Sequence, residues 1–489
     1  MVFKNYIAKF TLVFLFHNVL SEDLKRSLTF VIDDTISMSD DIDQVKSKTI
    51  EVFDAVLNSK ASEIEDFVLV TFNDPDVELR TKTKEEQVFS AKLNDISVHG
   101  GGDCPEMSMT GINLGIEESR PYSLFYVFTD ATAKDILLYD EVQRKALNKF
   151  IQVTFLLTGD CNDRNSPNYN VYKKLANVTG GQVFNIAKDQ VHKIMNFIID
   201  TIKDKTVKLY NWNFPAHVDE NITKQIPFSV DTKVQSLTLS LVGNNSHIVV
   251  KDSKGNEVKT ELIMESEETH IIKISPAVAG DFTAVIESTG ESNLDIKAIT
   301  HVSFQYGFLV IPPTTVEDCK KAVSRPVAGK KIHLTVELSN KGNDVELQSA
   351  EILDLKGNLL EKKQLRIIKK GDNFYVTDEF ISPSDMYRIS VNGIDTTTKE
   401  NIRRDATTAV EPWNKEIGVY DSEIFDSRYV VWRRNRDYAK TKQSKGGGVL
   451  LAVSRNLSVR ERVEWRSSPE DIWITITQFG KVQSKRALQ

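Results

Sequence analysis

Leu-Thr-Phe-Val-Ile-Asp-Asp-Thr-Ile-Ser-Met-Ser, residues 28–39, is the stretch on which the fold turns. Its first five residues form a short run with no charge, the pattern of a strand covered on both faces in a parallel sheet. The run breaks at once into acidic and hydroxyl residues, and Ile42, Val45, Thr49, Val52, Phe53 and Val56 then recur at helical spacing. Strand, polar turn and helix make one unit of a β-α alternation, and the unit repeats. Residues 67–72, 124–128 and 153–157 read as further buried strands, and the apolar residues of 194–202 as a closing helix. Residues 27–205 are therefore expected to form a doubly wound α/β domain, whose ligand site lies at the carboxyl ends of its strands.

Beyond residue 215 the helical period is lost. Leu237, Leu239 and Leu241 alternate with polar residues, and Lys254-Gly255-Asn256 reads as a turn. Residues 215–308 are expected to form a small all-β sandwich-like domain. A second is expected over 311–400, with alternation at 332–338 and a turn at Lys356-Gly357-Asn358. The composition changes again near 405, after which four of the five tryptophans and a dense set of arginines fall.

The whole chain has 489 residues, 40% hydrophobic and 27% charged, with a net charge of −7. That balance describes a multidomain globular protein and gives no sign of a nucleic-acid or membrane-surface role for the main body. Lys4 and Lys9, an apolar run over 10–20 and then Ser21, Glu22 and Asp23 have the layout of a secretory signal peptide over 1–21. The run is about half the roughly 20 residues a spanning helix needs. Secretion and no membrane span are the expectation. In that oxidising setting the three cysteines allow one disulfide and one spare thiol. Cys104 and Cys161, both in loops at strand carboxyl ends, are the expected pair; two free buried thiols are the alternative. Glycosylation sequons fall at Asn177, Asn221, Asn244 and Asn456.

The first strand ends in Asp33-Asp34-Thr35-Ile36-Ser37, where alternate residues Asp33, Thr35 and Ser37 point their oxygens one way. The second ends in Asn73-Asp74-Pro75, the next loop reads Gly100-Gly101-Gly102-Asp103-Cys104-Pro105-Glu106, and the strand over 124–128 runs into Thr129-Asp130. Singly, each cluster is what a helix cap or turn would use. Together they crowd carboxylates that repel unless a cation neutralises them, and oxygen ligands suit Mg²⁺ or Ca²⁺.

Asp33-x-Thr35-x-Ser37, the loop from Asp103 to Glu106 and Thr129-Asp130 resemble the metal-ion-dependent adhesion site of von Willebrand factor A domains, which are Rossmann-like. The resemblance implies a Mg²⁺ or Ca²⁺ centre at Asp33, Thr35, Ser37, Glu106 and Asp130, with Thr35 standing where the usual motif has Ser. Asp103-x-Pro105-Glu106 is similar to the integrin β-subunit form, which supplies a glutamate. By the same likeness Asp40 and Asp41 resemble an adjacent metal site, and Asp74, Asp103 and Glu106 a flanking third one; Gly101 replaces the asparagine of that third site. Residues 100–108, 126–131 and 157–164, with Ile226-Pro227-Phe228 and residues 323–329, resemble the N-terminal region of hemicentins over about 27–395. The immunoglobulin array of a hemicentin has no counterpart, so a short or truncated relative is expected. The family implies a secreted matrix or adhesion protein that binds an extracellular partner through a carboxylate, and no catalysis.

The remainder resembles something else. Glu411-Pro412-Trp413, residues 422–429, 433–437 and 446–449, and residues 464–468 are similar to a middle slice of the endonuclease domain of insect non-LTR retrotransposons. There Glu411 falls at a metal-binding glutamate. Residues 405–489 are thus expected to be a partial α/β fragment of a chimeric chain, and a nuclease-like, nucleic-acid-binding function through it is the alternative reading. No H-E-x-x-H, G-x-S-x-G or G-K-S/T motif supports another enzyme.

Overall fold

The computed structural model describes residues 25–58, 63–203, 206–215, 221–339, 344–368 and 373–413, and the strand segments 429–434, 449–454, 458–461, 472–478 and 481–487. The expected signal peptide lies outside the described residues. Among the described residues no helix is long and apolar enough to cross a membrane.

The first sheet contains β1 (Arg26–Asp33), β2 (Ile64–Phe72), β3 (Val77–Thr83), β4 (Leu124–Thr129), β5 (Gln152–Leu157) and β6 (Val183–Asn185) in the order β3-β2-β1-β4-β5-β6. All neighbours are parallel except β2 and β3. Because β1 is covered on both faces it is apolar throughout. Phe30 and Ile32 pack to one side with α1 (Ser39–Asn58), α2 (Glu86–Asn94) and α6 (Val191–Lys203). Val31 faces the other side, with α3 (Ser108–Glu118), α4 (Tyr139–Asn148) and α5 (Pro167–Thr179). The chain leaves β1 for β2 on one side and reaches β4 on the other, so the crevice between β1 and β4 is the topological switch point.

The second sheet is antiparallel and all-β: β7 (Thr206–Phe214), β8 (Asn221–Val230), β9 (Val234–Asp252), β10 (Glu261–Glu265), β11 (Thr269–Ile274) and β12 (Gly280–Thr300). Leu237, Leu239 and Leu241 alternate into its core. The third holds β13 (Ser303–Leu309), β14 (Lys331–Ser339), β15 (Val345–Leu353), β16 (Leu359–Ile367), β17 (Phe374–Thr377), β18 (Phe380–Ile381), β19 (Arg388–Asp395) and β20 (Asn401–Asp405). The two expected turns share one construction. Asp252 Oδ1 accepts from the amides of Lys254 and Asn256, Asp354 Oδ1 from those of Lys356 and Asn358, and Gly255 and Gly357 take φ of 84° and 91°.

Three segments lie at or between the expected domain edges. β7 pairs with β12, so residues 206–214 belong to the second sheet; the strand follows a helix with no turn residues to announce it. β13 pairs with β14 in the third sheet, although 303–308 had been grouped with the second. β20 pairs with β19, and Trp413 bridges to Val327, so residues 401–413 complete the third sheet and its surroundings. Residues 25–413 make one compact unit, and the strands after residue 428 belong to another.

Within the first unit the sheets are tied by buried contacts. Met264 and Ile271 of the β10–β11 hairpin enter the core formed with Ile194 and Ile198 of α6. Arg404, 1% exposed, donates to Asp231 through both terminal nitrogens at 2.6 and 3.3 Å and to the Val302 carbonyl at 2.9 Å, joining the second and third sheets. Arg388 reaches from β19 to the Asn177 carbonyl at 3.0 Å and its Oδ1 at 2.7 Å.

Candidate metal centre

The centre is built where β1 and β4 diverge. Asp33, the last residue of β1, is fully buried. Its Oδ1 accepts from Thr35 N at 3.0 Å and Thr35 Oγ1 at 2.7 Å, and its Oδ2 from Thr129 Oγ1 at 2.6 Å. Thr35 Oγ1 lies 3.1 Å from Ser37 Oγ, which donates to Asp130 Oδ1 at 3.0 Å. A short 3₁₀ turn, Ile36–Met38, brings Ser37 back to the crevice mouth, where it is exposed. Thr129, Asp33, Thr35, Ser37 and Asp130 thus form one continuous hydrogen-bonded chain of side chains.

Glu106 comes from the glycine-rich loop. Its amide donates to the Thr132 carbonyl at 2.9 Å and its carbonyl accepts from Lys134 N at 2.7 Å, which fastens the loop to the segment after β4. The expected disulfide is present: Cys104 and Cys161 are bridged, with Cα atoms 5.8 Å apart, so this loop is also joined to the one after β5. Gly159 passes so close to the Asp130 carbonyl that a Cβ would collide with it.

Glu106 is 2% exposed, yet its Oε2 has no hydrogen-bond partner. Burial, and then the charges of Asp33, Asp74 and Asp103, push its carboxyl up to about 7. Burial raises Asp33 to about 6 against the donors that hold it down, and Asp130 adds to the rise. A buried carboxylate without a donor is costly, and a hard divalent cation among three carboxylates and two hydroxyls would relieve it. The residues present therefore fit Mg²⁺ or Ca²⁺.

The other expected acidic residues have partners of another kind. Asp40 is exposed. Asp41 is buried, with Lys188 Nζ 3.2 Å from its Oδ2, and the same nitrogen lies 3.0 Å from Asp130 Oδ2. Asp74 and Asp103 both pair with Lys134, the latter at 3.0 Å. Neither lysine was singled out from sequence: Lys134 comes from an irregular loop and Lys188 from a short 3₁₀ turn, with no motif around either. Among the sequons, Asn244 is exposed, whereas Asn177 Oδ1 accepts from Arg388 and from Asn213 at 2.9 Å. Glu411 pairs with Arg325 at 3.3 Å.

The raised carboxyls give a pH dependence of definite sign. Asp33 and Glu106 hold protons more tightly folded than unfolded, so their contribution to stability is full below the unfolded pKa values and is lost as pH rises through about 6 to 7. His270, lowered by burial and by His247, works the other way in the same window. The comparison is therefore with Glu106→Gln. In chelator, wild type is expected to gain melting temperature relative to that variant between about pH 7.5 and about pH 5, as read by calorimetry.

A family model for the von Willebrand factor A domain matches residues 27–188. Residues 27–188 form a von Willebrand factor A domain. The hemicentin galactose-binding domain-like model matches residues 214–301. Hemicentin-1 of Mus musculus is 31% identical over 376 residues, covering 76% of this chain and 6% of that protein. The human von Willebrand factor A domain-containing protein 7 is 27% identical over 335 residues, 65% of this chain and 37% of its own. The chain thus spans a small part of the length of the curated relatives it matches. Among solved structures, proximal thread matrix protein 1 from the mussel byssus matches with 14% identity and a TM-score of 0.30, over 38% of this chain and 50% of that one.

Proposed function

We propose that this chain is a secreted matrix or cell-adhesion protein, without catalytic activity, whose A domain holds Mg²⁺ or Ca²⁺ at Asp33, Thr35, Ser37, Glu106 and Asp130 and binds an extracellular protein there. The observation that carries the reading is Glu106, a buried carboxylate with an unpartnered oxygen amid the charges of Asp33, Asp74 and Asp103. When bound, the ion supplies a Lewis-acidic position for a carboxylate offered by the partner. The chain's own part is to hold that position: Thr129 and Thr35 fix both oxygens of Asp33, Ser37 orients Asp130, and the Cys104–Cys161 bridge anchors the Glu106 loop.

The similarity to hemicentins supports a matrix or adhesion setting. Of Asn177 and Asn244, the two sequon asparagines whose side chains are described, Asn244, exposed within β9, is the better placed to carry a glycan. The segment after 413 has no role in this reading. A nuclease would need Glu411 free for a metal, and Glu411 is taken up by Arg325.

The test is capture from matrix extract on the immobilised full chain. Proteins retained in Mg²⁺ should be released by EDTA and should not be retained by Asp33→Ala. Equal capture in EDTA, or by Asp33→Ala, would contradict the proposal.

A further inference from the structure

The resemblance to A domains with three cation sites raises the question of how many ions this chain takes up. We propose that Lys134 and Lys188 are built-in counterions for the flanking carboxylates, so that the A domain takes up a single divalent ion, at the centre between β1 and β4. The inference rests on the metal reading above and goes beyond it in fixing the stoichiometry.

Lys134 is held by its own backbone, whose amide donates to the Glu106 carbonyl at 2.7 Å. From there its Nζ donates to Asp74 and, at 3.0 Å, to Asp103 Oδ2. These are the carboxylates the third site would need, and the ammonium stands between them. Lys188 opens the 3₁₀ turn Lys188–Gln190 that leads into α6. Its Nζ lies 3.0 Å from Asp130 Oδ2 and 3.2 Å from Asp41 Oδ2, and it donates to the Ser37 carbonyl. Asp41 is the one buried acid of the adjacent pair, and it too has an ammonium where a cation would sit.

An ammonium that stands between two carboxylates fills the position a divalent ion would need, and it offsets the charge that would draw the ion there, even on a flank as open to water as that of Lys134 and Asp103. Of the central carboxylates Asp130 shares Lys188 through its Oδ2, whereas Glu106 has no lysine within ion-pair distance among the described residues and its Oε2 has no hydrogen-bond partner. The arrangement neutralises the flanks permanently and leaves the centre for an exchangeable cation.

Calorimetric titration of the chelator-treated full chain with Mn²⁺ and Ca²⁺ tests this. His247, Glu265 and His270 of the second sheet lie close enough to hold an ion, so all chains carry His270→Ala, and the chain otherwise wild type should bind one ion. Lys134→Gln and Lys188→Gln should each acquire a second, weaker Ca²⁺ site, whereas Lys134→Arg and Lys188→Arg should remain at one; near-ultraviolet circular dichroism checks that each variant keeps its packing. Two or more ions in the otherwise wild-type chain, or no added site in either glutamine variant, would overturn the inference and leave the central site standing. No ion in the otherwise wild-type chain would instead overturn the metal reading on which it rests.

Discussion

Replacing Asp33 by alanine is expected to abolish the rise in melting temperature that Mg²⁺ or Ca²⁺ gives the wild-type chain. Asp33 is the carboxylate to which Thr35 and Thr129 both donate, so its loss removes a ligand and breaks the hydrogen-bonded chain that orients Ser37 and Asp130. An ion present at 100 times its dissociation constant stabilises the folded state by about 2.7 kcal/mol. That corresponds to a shift of a few degrees in a domain of this size. Glu106→Ala should shrink the shift without eliminating Asp33's share. In chelator, Glu106→Ala should melt no lower than wild type, because it removes a buried carboxylate whose raised pKa marks it as destabilising when charged, whereas Asp33→Ala also strands the donors of Thr35 and Thr129. Differential scanning calorimetry of the three proteins with and without metal reads all of this, and an undiminished metal-induced rise in Asp33→Ala would refute the ligand assignment.

The second large effect is expected away from the centre. Arg404→Ala leaves Asp231, 4% exposed, as an uncompensated charge between the second and third sheets. Breaking a buried pair from one side costs about 3–5 kcal/mol. The denaturation midpoint of the variant, followed by circular dichroism, should fall accordingly. Arg404→Met with Asp231→Leu should recover much of the loss, since an apolar pair of similar volume needs no counter-charge. A midpoint unchanged in Arg404→Ala would mean that the pair is not a clamp between the sheets.

How much of this was legible in the sequence depended on burial. The four central strands of the first sheet were readable because strands covered on both faces must be apolar throughout. β3, an edge strand reading Val-Glu-Leu-Arg-Thr-Lys-Thr, has a solvated face and no such run, and β6 is too short to show a pattern. Domain edges were the least legible feature: β7 follows α6 with no Pro or Gly between them, so its membership is set only by pairing with β12. At the centre, Asp33, Thr35, Ser37 and Asp130 could be grouped because strand ends converge in a doubly wound sheet. The structure places these four in one hydrogen-bonded chain. Lys134 and Lys188 could not be grouped with them, because long side chains from a loop and a short 3₁₀ turn reach their partners across 60 and 58 residues of sequence in ways no spacing rule records. The need for Gly159 is likewise set by the close approach of the Asp130 carbonyl.

An ion between β1 and β4 is the central expectation, and anomalous scattering from crystals grown with Mn²⁺ locates it most directly. The prediction is one anomalous peak, within about 2.0–2.3 Å of oxygens drawn from Asp33, Thr35, Ser37, Glu106 and Asp130 or of waters they hold. A crevice with no peak at saturating Mn²⁺, with Glu106 Oε2 paired to a protein donor instead, would contradict it.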